Sequence, residues 1–507
     1  MALRHVSLDL PGAPSSVLAV DLDADGRSDL VVVLVYTEFD EVEFERAAGF
    51  LQVTEIVPAL FERREARAYL SQGDGSYTLA GAPLPLESSV ISMAPGPPGI
   101  PVIALTDDGA AALRLEPGET GPHLTLTPLI ADAPVLRRAG SFIPGLDLIH
   151  DADGDGVADL VLPALDGVAL YRGDGRGLAS SPSARVSLPG DERGGGARVW
   201  RRYPIPRILD VDGDRLPDMV VVRPDSQESG VDVLRGAGQG RFHPPRRLDV
   251  RCLHDEASAG SDLAFFGDLD GVGRAELVTR TEHEEEDDGL KEAKRPRFTY
   301  RFHRLREDLT PEPRPYDQVE VLGYGFGGEW PDLGAGEFMD LDGDGRKDLV
   351  TITLDFSVLQ FMRVMATKRF GMVLEFHMWS QGPDGLFRAV ADQGLETKVL
   401  VDMDDFKLGR FGYFAGDFDG DGSMDFTHMD AGKTIAIHRG QAGCRYTRKP
   451  DMTIELEEDP LDPGLVKVGD LDGDGRADLA VTRPLPAESP GASPPVRLDL
   501  YLSRGAP

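Results

Sequence analysis

Asp21-Leu22-Asp23-Ala24-Asp25-Gly26-Arg27-Ser28-Asp29 runs directly into the apolar strand Leu30-Val31-Val32-Val33-Leu34. Acids stand at positions 1, 3, 5 and 9 of this loop and a glycine at position 6. The same constellation returns as Asp151, Asp153, Asp155, Gly156, Asp159, then as Asp340, Asp342, Asp344, Gly345, Asp348. It recurs again as Asp417, Asp419, Asp421, Gly422, Asp425 and as Asp470, Asp472, Asp474, Gly475, Asp478. Another copy, Asp210, Asp212, Asp214, Asp218, keeps the four acids but carries Arg215 in place of the glycine. A seventh is eroded: Asp268 and Asp270 remain, Val272 replaces the third Asp, and Glu276 replaces the last.

Self-similarity at a fixed spacing takes precedence over local patterns in deciding a fold. The copies start at 21, 151, 210, 268, 340, 417 and 470, with gaps of 130, 59, 58, 72, 77 and 53. The first gap is about double the rest, which places a hidden unit near residue 95. There the turn Ala94 to Gly99 lies between Ser89–Met93 and Pro101–Leu105, a Pro/Gly turn in place of the acidic loop. Each unit continues with a third strand ending in a glycine-rich turn, such as Tyr171-Arg172-Gly173-Asp174-Gly175, and a fourth, more amphipathic strand, such as Ser183–Leu188. Four short strands per repeat describe a β-propeller blade. The last unit ends on a third strand, Val496–Leu502, while the chain begins with a spare one, Arg4–Leu10. The expectation is an all-β, eight-bladed propeller of four-stranded blades over residues 1–507. Blade motifs start near 21, 95, 151, 210, 268, 340, 417 and 470, the N-terminal strand closes the ring, and the insertions form short helices.

Composition narrows the function. Lys plus Arg number 53 against 87 Asp plus Glu, a net charge of −34, which argues against a nucleic-acid partner because phosphate neutralisation needs a basic surface. Gly (59) and Pro (38) make about a fifth of the 507 residues, favouring turns and strands over a helical bundle. No apolar run approaches the ~18 residues of a membrane span. Cys252 and Cys444 fall in non-adjacent units, so no disulfide is expected.

The repeated motif resembles the FG-GAP/VCBS repeats of integrin α-subunit propellers and of many bacterial cell-surface proteins. The resemblance spans essentially the whole chain and departs from the integrin pattern in having eight units and one unit without an acidic loop. It implies calcium loops between strands one and two on one face, with the ligand side on the strand two to strand three connectors. It also implies a protein or glycan ligand and a place in a larger surface assembly.

The loop chemistry agrees with that implication. Alternating acids on a tight turn converge, and several carboxylates with a backbone carbonyl at position 7 make an all-oxygen set suited to Ca²⁺ over Mg²⁺. An EF-hand is excluded, because position 12 is Val32, Leu162, Thr351 or Val481 and the flanks are strands. About six structural calcium ions are expected, held by the 24 aspartates of the six full loops, with the loop at Asp268 weak or empty. Six ions would bring −34 to −22.

Two insertions stand out. Residues 36–68 carry Phe50 and Phe61, and residues 356–371 carry Phe361, Met362 and Met365 at helical spacing. The second reads either as an amphipathic helix capping the ring or as a partner-docking surface. The run Glu282 to Asp288, followed by Lys291, Lys294 and Arg295, reads either as a solvated charged loop or as an electrostatic docking site for a partner or an acidic glycan. No GxSxG, HExxH or phosphate loop occurs, and no catalytic constellation is visible; His377 and His438 read as strand residues. The leading expectation is a calcium-stabilised binding, adhesion or scaffold module, extracellular, at a bacterial cell surface or in the periplasm. The alternative is a calcium-dependent polysaccharide lyase or other glycan-active enzyme on the same scaffold. Met1–Ser7 lacks an apolar h-region and so reads as no signal peptide. Export is therefore expected through a signal removed from this chain, or as part of a secreted assembly.

Overall fold

The computed structural model describes residues 2–37, 62–119, 121–131, 133, 142–164, 167–188, 191–193, 200–202, 206–223, 230–249, 253, 262–283, 297–325, 337–355, 369–402, 407–408, 412–429, 433–457, 466–485 and 495–504. Eight antiparallel sheets follow one another along the chain as the blades of a propeller. Blade 1 orders Pro14–Val20, Asp29–Thr37, Glu62–Ser71 and Tyr77–Leu79 side by side. Blade 2 is Val90–Pro95, Val102–Thr106, Gly109–Glu116 and His123–Ile130, with the turn at Gly96–Pro101 where the hidden unit was expected. Blade 3 runs from Ile149 to Ser187, blade 4 from Arg207 to Asp249, and blade 5 from Asp262 to Leu322. Blade 6 centres on Asp348–Asp355 and Arg369–Trp379, and blade 7 on Asp425–Met429 and Thr434–His438.

Blade 8 has strands Val466–Gly469, Asp478–Pro484 and Val496–Arg504, completed by Ala2–Leu10. The N-terminal strand pairs antiparallel along its whole length with the last strand, from Ala2↔Arg504 to Leu10↔Val496. This is the expected closure, formed by residues from opposite ends of the sequence.

Side-chain pattern explains which strands sit inside a blade. Gly167–Tyr171, Gly230–Leu234 and Asp425–Met429 are buried at every residue, the polar Asp232, Asp425, Thr427 and His428 included, as strands covered on both faces. Fourth strands alternate instead: Val319 and Val321 of Asp317–Leu322 are buried while Gln318, Glu320 and Leu322 are exposed. Among the described residues the blades share no common centre of apolar packing. Eight apolar clusters occur among the described residues, and each joins two consecutive blades. The cluster that closes the ring sets Leu8, Leu498 and Leu500 of blade 8 against Leu30, Val32 and Leu34 of blade 1. Burial of apolar area between neighbours, at about 25 cal/mol per Å², therefore holds the ring as a whole.

No α-helix occurs among the described residues. The helical insertion expected over 356–371 lies outside the described residues as far as 368, while 369–371 belong to the strand Arg369–Trp379; all five expected partner-surface residues, Phe50, Phe61, Phe361, Met362 and Met365, lie outside the described residues. His377 and His438 sit in strands, as read from the sequence.

Candidate metal centres

The acidic loop joins the first two strands of each blade except blade 2, and its position-9 acid is the first residue of the second strand: Asp29, Asp159, Asp218, Glu276, Asp348, Asp425 or Asp478. That acid is buried, and it ties the blade together through the backbone. In blade 7, Asp425 Oδ2 accepts from the Phe418 amide at 2.9 Å and Oδ1 from the Gly440 amide at 2.8 Å. Asp29, Asp159, Asp218, Asp348 and Asp478 accept in the same way from the amide at position 2 and from an amide at the end of the third strand. Burial raises these carboxyls, with Asp348, Asp425 and Asp478 pushed up to about 7 against the opposing pull of the amide bonds.

Position 1 shapes the turn. Asp340 Oδ1 accepts from the amides of Gly343 and Asp344 and Oδ2 from that of Gly345, so one carboxylate satisfies three amides of its own loop. Position 5 caps the amide at position 7, and in five of the six full loops it faces an arginine, as Asp474 does with Arg476 at 2.8 Å. Position 3 is different. Asp342 Oδ1, Asp419 Oδ1 and Asp472 Oδ1 are buried with no hydrogen-bond donor among the described residues. A buried carboxylate oxygen without a partner is costly, and a cation inside the loop would supply one.

Positions 1, 3 and 9 bring oxygens within 4.8 Å of one another in blades 1, 3 and 4, and positions 1, 3 and 5 do so in blade 6. Asp268, Asp270 and Glu276 of the eroded loop converge similarly. All donors are carboxylate oxygens, a set that fits a hard divalent ion.

The loops also touch one another, which the sequence reading had not anticipated. A Cβ on Gly213 would stand 3.3 Å from the Gly273 carbonyl oxygen of the next blade, one on Gly271 2.6 Å from that of Gly345, and one on Gly343 2.3 Å from that of Gly422. Gly154 abuts Pro217, Gly420 abuts Arg476 and Gly473 abuts Ser28. Position 4 of each loop thus packs onto positions 6 to 8 of the next, from blade 3 around to blade 1. Backbone bonds reinforce the belt: Ala275 to Val211 at 3.0 Å, Lys347 to Leu269 at 2.8 Å and Met424 to Leu341 at 2.8 Å. The belt stops at blade 2, which has no acidic loop, and there the preceding loop carries Ala24, not glycine, at position 4. The signal was present in the sequence at position 4 of the seven loops, which reads Ala-Gly-Gly-Gly-Gly-Gly-Gly.

The FG-GAP repeat family matches residues 466–493, which cover the first two strands and the acidic loop of blade 8. No curated protein matches the chain. No described helix is long and apolar enough to cross a membrane. An FG-GAP repeat in an eight-bladed propeller is consistent with an integrin-α-like FG-GAP propeller, an architecture that supports a binding or scaffold module.

Proposed function

We propose that this chain is a calcium-stabilised propeller that binds a protein or glycan ligand outside the cytoplasm, at a cell surface or in the periplasm. The unpartnered buried oxygens of Asp342, Asp419 and Asp472 carry the calcium part of this reading. They sit in loops whose other carboxylates are already bonded to backbone amides, so added positive charge is the missing element. FG-GAP repeats are typical of extracellular or surface proteins, where calcium is abundant.

Topology supports the ligand side. The second strands of blades 1, 5 and 6 leave their acidic loops at Asp29, Glu276 and Asp348 and end at Thr37, His283 and Asp355. The long connectors that follow, 38–61, 284–296 and 356–368, therefore depart from the face opposite the acidic belt. Those connectors hold the apolar and charged insertions.

Chelation with EGTA should lower the melting temperature by many degrees, with recovery on adding Ca²⁺ but not Mg²⁺. An unchanged melt removes calcium from the reading. Incubation with uronate polymers should give no unsaturated product absorbance; its appearance would replace the binding module with a lyase.

A further inference from the structure

Each of the six full loops holds an arginine against its carboxylates, and blade 8 adds a second, Arg504, 3.5 Å from Asp472. The arginine common to all six is drawn from one of two places. In blades 1, 6 and 8 it is position 7 of the loop itself: Arg27, Arg346 and Arg476, paired with Asp25, Asp344 and Asp474 at position 5. In blades 3, 4 and 7 position 7 is Val157, Leu216 or Ser423, and the arginine ends the third strand instead, as Arg172, Arg235 and Arg439. It immediately precedes the amide that clamps the position-9 acid, Gly173, Gly236 or Gly440. The same place in blades 1, 6 and 8 is Leu70, Ser380 or Leu502. In none of the six loops do position 7 and the residue before the clamping amide both carry arginine.

The geometry differs with the source. Arg439 Nε lies 2.6 Å from Asp419 Oδ2 and its Nη2 2.9 Å from Asp421 Oδ2, a fork across positions 3 and 5. Arg172 forks across Asp153 and Asp155 in the same way, and Arg235 pairs with Asp212 at position 3. A position-7 arginine reaches only position 5, leaving position 3 without a close guanidinium; Arg504 approaches Asp472 no nearer than 3.5 Å.

We infer that the arginine source sorts the loops into two affinity classes, with strand-end Arg172, Arg235 and Arg439 acting as built-in competitors of the cation in blades 3, 4 and 7. This rests on the calcium reading above. An ion entering those loops must displace an arginine from the carboxylate it needs at position 3, and in blades 3 and 7 from position 5 as well. In blades 1, 6 and 8 no guanidinium sits closely on that carboxylate among the described residues: Asp342 Oδ2 accepts from the Gly443 amide, Asp472 lies 3.5 Å from Arg504, and the position-7 arginine engages position 5 instead. Displacing about two surface ion pairs corresponds to roughly a tenfold difference in affinity.

The test is calorimetric titration and native mass spectrometry of the full chain, stripped with EGTA and titrated with Ca²⁺. Three ions should enter at low concentration and three at about tenfold higher concentration. The triple substitution Arg172→Gln, Arg235→Gln, Arg439→Gln should merge the steps toward the tighter one. Arg439→Gln alone should convert one weak site, which keeps the test available if the triple variant misfolds by circular dichroism. Six equivalent sites in the unmodified chain, or an Arg439→Gln variant with its two steps unchanged, overturn the inference and leave the calcium reading intact. No uptake in any sample overturns the calcium reading itself.

Discussion

Gly443 of blade 7 donates its backbone amide to Asp342 Oδ2 of blade 6 at 2.6 Å. The glycine turn after a third strand therefore caps the acidic loop of the preceding blade. Gly240 lies against Asp153 and Gly385 against Asp270 in the same relation. The two most recognisable pieces of each repeat meet across a blade boundary, so the acidic face is one continuous structure.

That continuity can be tested inside a single loop. Gly343 and Gly345 both have positive φ, 75° and 87°, but a Cβ on Gly345 meets nothing within 4 Å while one on Gly343 meets the Gly422 carbonyl oxygen at 2.3 Å. Gly345→Ala should cost about 1 kcal/mol, the penalty of a left-handed alanine. Gly343→Ala should cost about 2 kcal/mol more, because two backbones must separate. Equal melts for the two variants would mean that the loops do not bear on one another.

Ala24 supplies the natural control. It holds φ 61° without a loop beyond it in blade 2. Ala24→Gly trades relief of left-handed strain against about 0.5–1 kcal/mol of added chain entropy. The expected change in stability is below about 0.5 kcal/mol by urea titration, against the much larger effect at Gly343.

Positions 3 and 9 should separate by their dependence on calcium. Asp425→Asn replaces one acceptor oxygen with an amide that cannot accept from Phe418 or Gly440, leaving a buried amide unsatisfied. A loss of about 2 kcal/mol is expected with calcium or with EGTA. Asp472→Asn alters a carboxylate with one unpartnered oxygen and a single distant arginine. It should change the EGTA melt little and reduce the stabilisation gained on adding calcium. A loss from Asp472→Asn that is the same in both buffers would count against a metal at that loop.

Much of the ring was legible because period and turn chemistry are local. The acids fixed where each first hairpin turns, the doubled gap located blade 2, and the spare strand Arg4–Leu10 found its partner in Val496–Arg504. What stayed hidden depends on contacts between blades. Position 9 reads as one acid among four, yet its oxygens bond to amides brought to it by a strand 14 to 42 residues away. The glycine at position 4 reads as an ordinary turn residue until the neighbouring loop is in place. The alternation of arginine between position 7 and the strand end was visible as text, but it acquires meaning only when both places reach the same carboxylates.

The closure of the ring yields the last expectation. Asp499, fully buried, accepts from Ser7 Oγ at 2.6 Å, lies 2.9 Å from His5 Nε2, and is paired with Arg483. Burial pushes its carboxyl up, but the bonds from Arg483, Ser7 and His5 outweigh burial and hold it below the ordinary aspartate value. A carboxyl depressed on folding contributes stability above its unfolded value of about 3.9, and loses it as pH falls through the lower folded value. Asp499→Asn leaves buried Arg483 with only the exposed Glu457, at 3.1 Å, and should cost about 3 kcal/mol at pH 7. The loss should appear as faster amide exchange in residues 2–10, since their outer pairing is what the cluster secures. Between pH 5 and pH 2 the gap between unmodified chain and variant should close, because protonation removes from the former the charge that substitution removed from the latter. A gap that persists undiminished at pH 2 would place the effect of Asp499 in packing and not in its charge.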